Sequence, residues 1–307
     1  MTDRAPQPID DLVSIRDWLR YAVTAMTRAG LVFGHGTETA VDVAAFLILS
    51  TLALPIDDIN PWLDCRLTRD ERSALSDIIG RRIETRKPSA YLTNSAYIQG
   101  RKFYVDERVI IPRSFIAELI ARDGLGSIVP DAAEVGRVLD LCTGSGCIAI
   151  LAAEAFPNAE IHASDISDDA LAVAARNIRD YGLDQRVRTF RADLFDGLHA
   201  GSYDLIISNP PYVAAAEVEA FAPEYQAEPQ LAHLGGIDGL DLVKRNALLA
   251  AMTDEVAAGS LRNNYQQGLA LSLSLSTAIE ALILIVALSW KMGKFNAEFG
   301  AWFARVV

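Results

Sequence analysis

The stretch VLDLCTGSGC, Val138 to Cys147, decides the fold. Val138 to Leu141 reads as a short apolar strand, Thr143, Gly144, Ser145 and Gly146 as a tight turn, and Ile148 to Phe156 as a helix. Glycines in such a turn let backbone pass close to a ligand, and the helix start offers free amides and the positive end of a dipole. A nucleotide-type cofactor fits there. The dinucleotide fingerprint does not, because Ala149 stands where its third glycine would be. Taken alone, a glycine pair also fits an ordinary tight turn.

Downstream, AEIHASD, RVRTFRAD and YDLIISN are further short apolar runs, with a helical stretch from Asp168 to Tyr181 between the first two. Strands alternating with helices predict an α/β fold with a parallel sheet, whose ligands bind beyond the carboxyl ends of the strands. Acids end the runs at the expected places. Asp165 lies about twenty residues past the glycines, where a carboxylate can accept both hydroxyls of a ribose, although it could equally cap a helix. Asp193 could accept from an adenine amino group, or simply serve a turn.

The fourth run ends in SNPPYV, Ser208 to Val213. Asn209 offers a side-chain carbonyl and Pro210 a backbone carbonyl, with proline geometry fixing their directions. Two fixed acceptors can hold both hydrogens of one planar NH2 group and turn its lone pair toward an electrophile. The Tyr212 ring can stack on the flat group.

Upstream, Leu12, Ile15, Leu19, Ala22, Val23 and Met26 recur at helical steps after Asp10 and Asp11, which predicts an amphipathic helix from Ile9 to Ala29. A second apolar helix is expected over Glu38 to Leu54. A third starts at TRDE, where Thr68 and Glu71 have capping-box spacing, and ends before Pro88. In AYIQGRKFYVDERVII, Phe103 and Val105, then Val109 and Ile111, alternate as in a hairpin with turns at Gly100 or Asp106-Glu107. The expected domains are a helical substrate-recognition unit (1–90), a hairpin with a connecting helix (91–125) and a cofactor-binding domain (126–307).

Lys and Arg total 28 against 40 Asp and Glu, a formal charge of −12, which disfavours stable nucleic-acid binding and suits a basic protein partner. Cys65, Cys142 and Cys147 form neither an even disulfide framework nor paired Cys-x-x-Cys motifs, which fits a reducing compartment. The N-terminus, MTDRAPQPIDDLV, lacks the basic start and apolar block of a secretion signal, so a cytoplasmic location is expected. No histidine pair has metal-ligand spacing. His35 reads as a loop residue, His162 as part of a strand, His199 as near a turn and His233 as packing or surface.

In this order, DLCTGSGCIAI, DIS, ADLF and SNPPYV resemble S-adenosylmethionine-dependent amino-methyltransferases. With IIPRSFIAELI upstream and EPQLAHLGGIDGLDLV downstream, the chain from about Pro88 to Val243 resembles the bacterial glutamine N5-methyltransferases that modify ribosomal proteins and release factors. PRS at Pro112 to Ser114 and the cysteine-containing loop are similar to the branch acting on the third large-subunit ribosomal protein. The resemblance implies a Rossmann-like class I methyltransferase fold with a small N-terminal helical domain and a bridging β-hairpin. It implies S-adenosylmethionine as methyl donor and no metal. By the same resemblance Asp140 and the loop Cys142, Thr143, Gly144, Ser145 and Gly146 serve the cofactor, Asp165 holds its ribose, and Asp193 and Leu194 flank its adenine. Asn209, Pro210, Pro211 and Tyr212 hold the glutamine, with Asn209 also in reach of the cofactor. The implied partner is a ribosomal protein, met before or during ribosome assembly.

The likeness ends near Leu242. Leu269 to Trp290 has Glu280 as its one charge and is long enough to raise a membrane-spanning reading, which needs about 20 apolar residues. The alternation in LALSLSLS favours terminal elements of the sheet instead. Other functions left open are methylation of a release factor, methylation of an adenine amine in nucleic acid, and a non-catalytic cofactor-binding or membrane-associated role.

Overall fold

A computed structural model of the chain describes residues 10–123, 125–126, 129, 131–196, 198, 203–239, 241–242, 245 and 284–286. These residues form two compact units, one from Met1–Arg113 with Pro211–Leu242, the other from Ser114–Pro210 with Val243–Val307.

The first unit opens with three capped helices. α1 (Ile15–Arg28) begins at Ser14, whose hydroxyl accepts the Asp17 N–H while the Asp17 carboxylate accepts the Ser14 N–H. The helix therefore starts later than Asp10 and Asp11 had implied, because this reciprocal pair satisfies its free amides. α2 (Ala40–Thr51) is capped in the same way by Thr39 and Asp42, and α3 (Arg69–Thr85) by Thr68 and Glu71, as their spacing predicted. The three helices bury Trp18, Met26, Leu47, Ile48, Leu75 and Ile79 in a shared core. Trp18 keeps its indole N–H satisfied on the Leu12 carbonyl at 2.9 Å.

After α4 (Ser89–Thr93), β1 (Ala96–Ile98) and β2 (Arg101–Phe103) pair antiparallel around Gly100, with Ala96 opposite Phe103. The expected second strand over Val109 and Ile111 does not form. Both residues are buried, so the inward alternation is real, but their backbones are used otherwise. Val109 N–H closes a turn on the Asp106 carbonyl, and the Val109 carbonyl accepts the Tyr91 hydroxyl at 2.5 Å.

In the second unit, α5 (Phe115–Asp123) precedes β3 (Arg137–Leu141), α6 (Cys147–Ala155), β4 (Glu160–Asp165), α7 (Asp168–Asp180), β5 (Val187–Arg191) and β6 (Leu205–Ser208). The strand order is β5-β4-β3-β6, all parallel, with Leu139 level with His162 on one side and Ile206 on the other. Every residue of β6, and all of β3 past Arg137, is buried. Strands buried so continuously need cover on both faces, which marks an α/β sheet. The order reverses between β3 and β6, and at such a switch point the carboxyl ends of the strands open a crevice for ligands.

The chain then re-enters the first unit, where α8 (Ala215–Glu219) and a bridge between Val213 and Leu234 organise residues 211–239. Of the stretch Leu269 to Trp290, the described part is β7 (Leu284–Val286), which pairs antiparallel with β6; the rest lies outside the described residues. Among the described residues no helix is long and apolar enough to cross a membrane.

Candidate functional site

The glycine loop is built by hydrogen bonds from below. Asp140, at the end of β3, has no exposed surface, and its Oδ2 accepts the Thr143 hydroxyl at 2.5 Å and the Ala149 N–H at 3.0 Å. The acid thus lies beneath the loop and ties its first half to the first turn of α6. Its Oδ1 has no hydrogen-bond partner among the described residues. Burial, opposed by the Thr143 and Ala149 hydrogen bonds, pushes the Asp140 carboxyl up to about 7. A buried oxygen in this state is suited to a cationic or donor group of a ligand.

The loop is held laterally as well. Thr143 N–H donates to the Ser164 carbonyl at 2.9 Å, and Asn177 from α7 donates to the Ser145 carbonyl at 2.8 Å. Ser208 ties the end of β6 to the end of β3 through the Leu141 carbonyl at 2.9 Å. The side chains of Thr143 and Ser145 are consequently buried, whereas a side chain added at Gly144 would meet nothing within 4 Å, so at Gly144 the loop presents bare backbone. Cys142 takes a left-handed φ of 62°, a conformation that favours glycine, and burial pushes its thiol up, which keeps it protonated. All three cysteines are free.

Asp165 ends β4 and accepts the Gly144 N–H on Oδ2 at 2.9 Å and the Ser167 N–H on Oδ1 at 3.0 Å. A carboxylate has about four lone-pair sites, so acceptor capacity remains for a ribose hydroxyl. Beyond it, Ile166, Arg191, Ala192, Asp193 and Asp196 line a cavity of about 300 Å³ at the carboxyl edge of β4 and β5. Leu194 is buried beside it with φ 55°. Asp193 carries a bidentate ion pair with Arg245 at 2.9 and 3.0 Å. Sequence reasoning missed two residues here. Ile166 is 43 % exposed and offers an apolar face directly after the ribose-type acid, a signal present in DIS; Arg245 lies 52 positions from its partner and had no local signal.

Asn209 and Pro210 follow β6 on the same edge of the same sheet. Asn209 is half-buried, and its side-chain amide makes no hydrogen bond among the described residues. Pro211 and Tyr212 belong to the other unit, where the backbone of the next residue, Val213, is clasped: Val213 N–H donates to the His233 carbonyl and Gly235 N–H to the Val213 carbonyl, each at 2.9 Å. A side-chain carbon on Gly235 would stand 2.8 Å from the Tyr212 Cα, and one on Gly239 2.3 Å from its carbonyl oxygen, so LGGIDG must keep these glycines. The Tyr212 residue is 38 % exposed.

The histidines stand partly as expected. His162 lies in β4 and His35 in a loop, where its ring is buried against the Tyr225 ring, 4.1 Å between centroids. His233 is buried too, and His199 lies outside the described residues.

A parallel sheet with this switch point, a bare-backbone loop over a buried acid and an acid ending the second strand define a class I S-adenosylmethionine-dependent methyltransferase. The family model described as methyltransferase small domain matches residues 125–235. Among curated proteins, the ribosomal protein uL3 glutamine methyltransferase of Bordetella pertussis is 49 % identical, covering 81 % of this chain and 82 % of that one. Those of Burkholderia pseudomallei and Bradyrhizobium diazoefficiens are 51 % and 52 % identical, covering 76 % of this chain and 78 % and 75 % of theirs. The chain belongs to the ribosomal protein uL3 glutamine methyltransferase family.

Proposed function

We propose that the chain methylates the side-chain amide nitrogen of a glutamine in ribosomal protein uL3, giving N5-methylglutamine and S-adenosylhomocysteine. The observation that carries this reading is Asn209, half-buried at the end of β6, with an uncommitted amide and a fixed carbonyl at Pro210 beside it. The names of the relatives supply the substrate.

When bound, S-adenosylmethionine supplies a methyl group on a sulfonium sulfur, which keeps the electron pair as the methyl departs. Asp165 would take the ribose hydroxyls, the backbone around Gly144 and the free oxygen of Asp140 the methionine end, and the cavity beside Ile166 and Asp193 the adenine. Asn209 Oδ1 and the Pro210 carbonyl accept the two amide hydrogens and aim the nitrogen lone pair, while Tyr212 covers the amide plane. Both acceptors stabilise the nitrogen as it gains positive character, and one of its protons then leaves to solvent. The chemistry rests on positioning and needs no strong base.

The helical unit serves recognition of the protein substrate. A charge of −12 suits a basic ribosomal protein met free in the cytoplasm, before or during ribosome assembly. The test is side-by-side transfer of labelled methyl to purified uL3, a release factor and nucleic acid. Label on a uL3 glutamine is expected; label on either other acceptor, with none on uL3, would overturn the assignment.

A further inference from the structure

Glu228 lies in AEPQLAH between two short 3-10 turns, Tyr225–Ala227 and Gln230–Ala232, and its side chain has no exposed surface. Leaving such a carboxylate unpaired would be strongly destabilising. Both of its oxygens accept hydrogen bonds. Arg113 grips both, at 2.7 and 2.9 Å, and the Ile111 N–H donates to Oε1 at 2.9 Å. Nε2 of His233 stands 3.0 Å from Oε2, and Nε2 of His35 3.8 Å. Burial works to raise the carboxyl, but His233 and Arg113 outweigh it and hold it down at about 2. Four residues earlier Glu224 is equally enclosed, accepting the Val32 N–H at 3.1 Å and pairing with Arg86 at 2.7 Å.

Two buried carboxylates four residues apart therefore pin the segment 211–239 to the rest of its unit. Stability alone does not call for charge there, since apolar replacements of a buried ion pair are often neutral or stabilising. What the charges add is direction, because a bidentate guanidinium and a backbone N–H fix the carboxylate plane. Oε2 of that carboxylate lies 3.0 Å from Nε2 of the buried His233 ring, and the His233 carbonyl is the acceptor that holds Val213, the residue after Tyr212.

We infer that Glu228 is a positioning residue for methyl transfer, holding Tyr212 in place through His233 and Val213, with Arg113 as its counter-ion. The inference rests on the reading of Asn209 to Tyr212 as the segment that holds the amide. Glu228→Gln keeps the shape and removes the charge. It lowers kcat on uL3 by about tenfold or more. The KM and Kd for S-adenosylmethionine stay within about twofold, because Asp140, Gly144 and Asp165 lie in the other unit. The double variant Arg113→Met/Glu228→Gln removes both buried charges; its Tm returns toward wild type while kcat stays depressed. A wild-type kcat in Glu228→Gln, or a kcat that recovers together with Tm in the double variant, would make the network purely structural and overturn the inference. A folded wild-type protein that binds S-adenosylmethionine yet leaves uL3 unmethylated removes the function itself, and the inference with it.

Discussion

Asp140 and Glu228 are both enclosed carboxylates, yet one accepts from neutral donors and keeps an oxygen to spare while the other is gripped on both oxygens by a guanidinium and a backbone amide. Burial of Asp140 pushes its carboxyl up to about 7, whereas His233 and Arg113 overcome the burial of Glu228 and bring it to about 2. Depth is therefore a poor guide to what a buried acid does. The under-served acid lies beneath the glycine loop, where a ligand can complete it, and the better-served acid lies where a segment must be held without help from a ligand.

The sharpest way to break this contrast is to remove one partner from each acid. Arg113→Ala leaves a buried charge without its counter-ion and is expected to cost about 3–5 kcal/mol in denaturant unfolding. Thr143→Val removes one neutral hydroxyl from Asp140 and is expected to cost about 1–2 kcal/mol. Equal losses would show that the two sites do not differ as described.

A second test reads the same contrast through pH. Asp140 has a folded value raised above its ordinary 3.8, so the folded state holds a proton that the unfolded chain releases, and stability falls as pH rises from about 4 to about 7. In Asp140→Asn that slope disappears, a difference on the order of 5 °C in Tm across the window. S-adenosylmethionine binding weakens about tenfold or more in the same variant. Glu228 has the opposite sign. Its folded value is depressed, so its contribution is complete above about 4.5 and is lost as pH falls toward about 2.

His35 sharpens the comparison further, since it faces Glu228 and Glu224 together with Arg113 and Arg82. Burial lowers it to about 4, so the folded state refuses a proton that the unfolded chain accepts near 6.5. Stability should drop by a few degrees in Tm as pH falls from about 6.5 to 4, and His35→Gln should flatten that drop. The smallest effect is expected at Cys142. Its φ of 62° makes Cys142→Gly neutral or stabilising by about 1 kcal/mol, and a clear loss of stability would mean that the thiol packs better than its backbone suffers.

Features written within a few residues were legible in the sequence. Thr68 and Glu71 announced α3, the apolar runs announced the parallel strands, and the glycine loop announced the crevice. Asp10 and Asp11 misled because Ser14 and Asp17, the true cap, read as ordinary polar positions in an amphipathic run. Val109 and Ile111 misled because alternating burial came without a ladder: the Ile111 N–H goes to a carboxylate 117 residues away. Glu228 was visible as a letter in EPQLAHLGG, but the partners that give it a role, Arg113 and His35, lie far off along the chain, where no local spacing records them.

The most direct measurement is transfer from labelled S-adenosylmethionine to uL3 by wild type and Asn209→Ala, with cofactor binding measured on both and the label mapped by mass spectrometry. One methyl on a glutamine side chain is expected, with a rate lowered about a hundredfold or more in the variant and cofactor affinity within a few-fold of wild type. Undiminished transfer by Asn209→Ala, or label on a residue other than glutamine, would contradict that expectation.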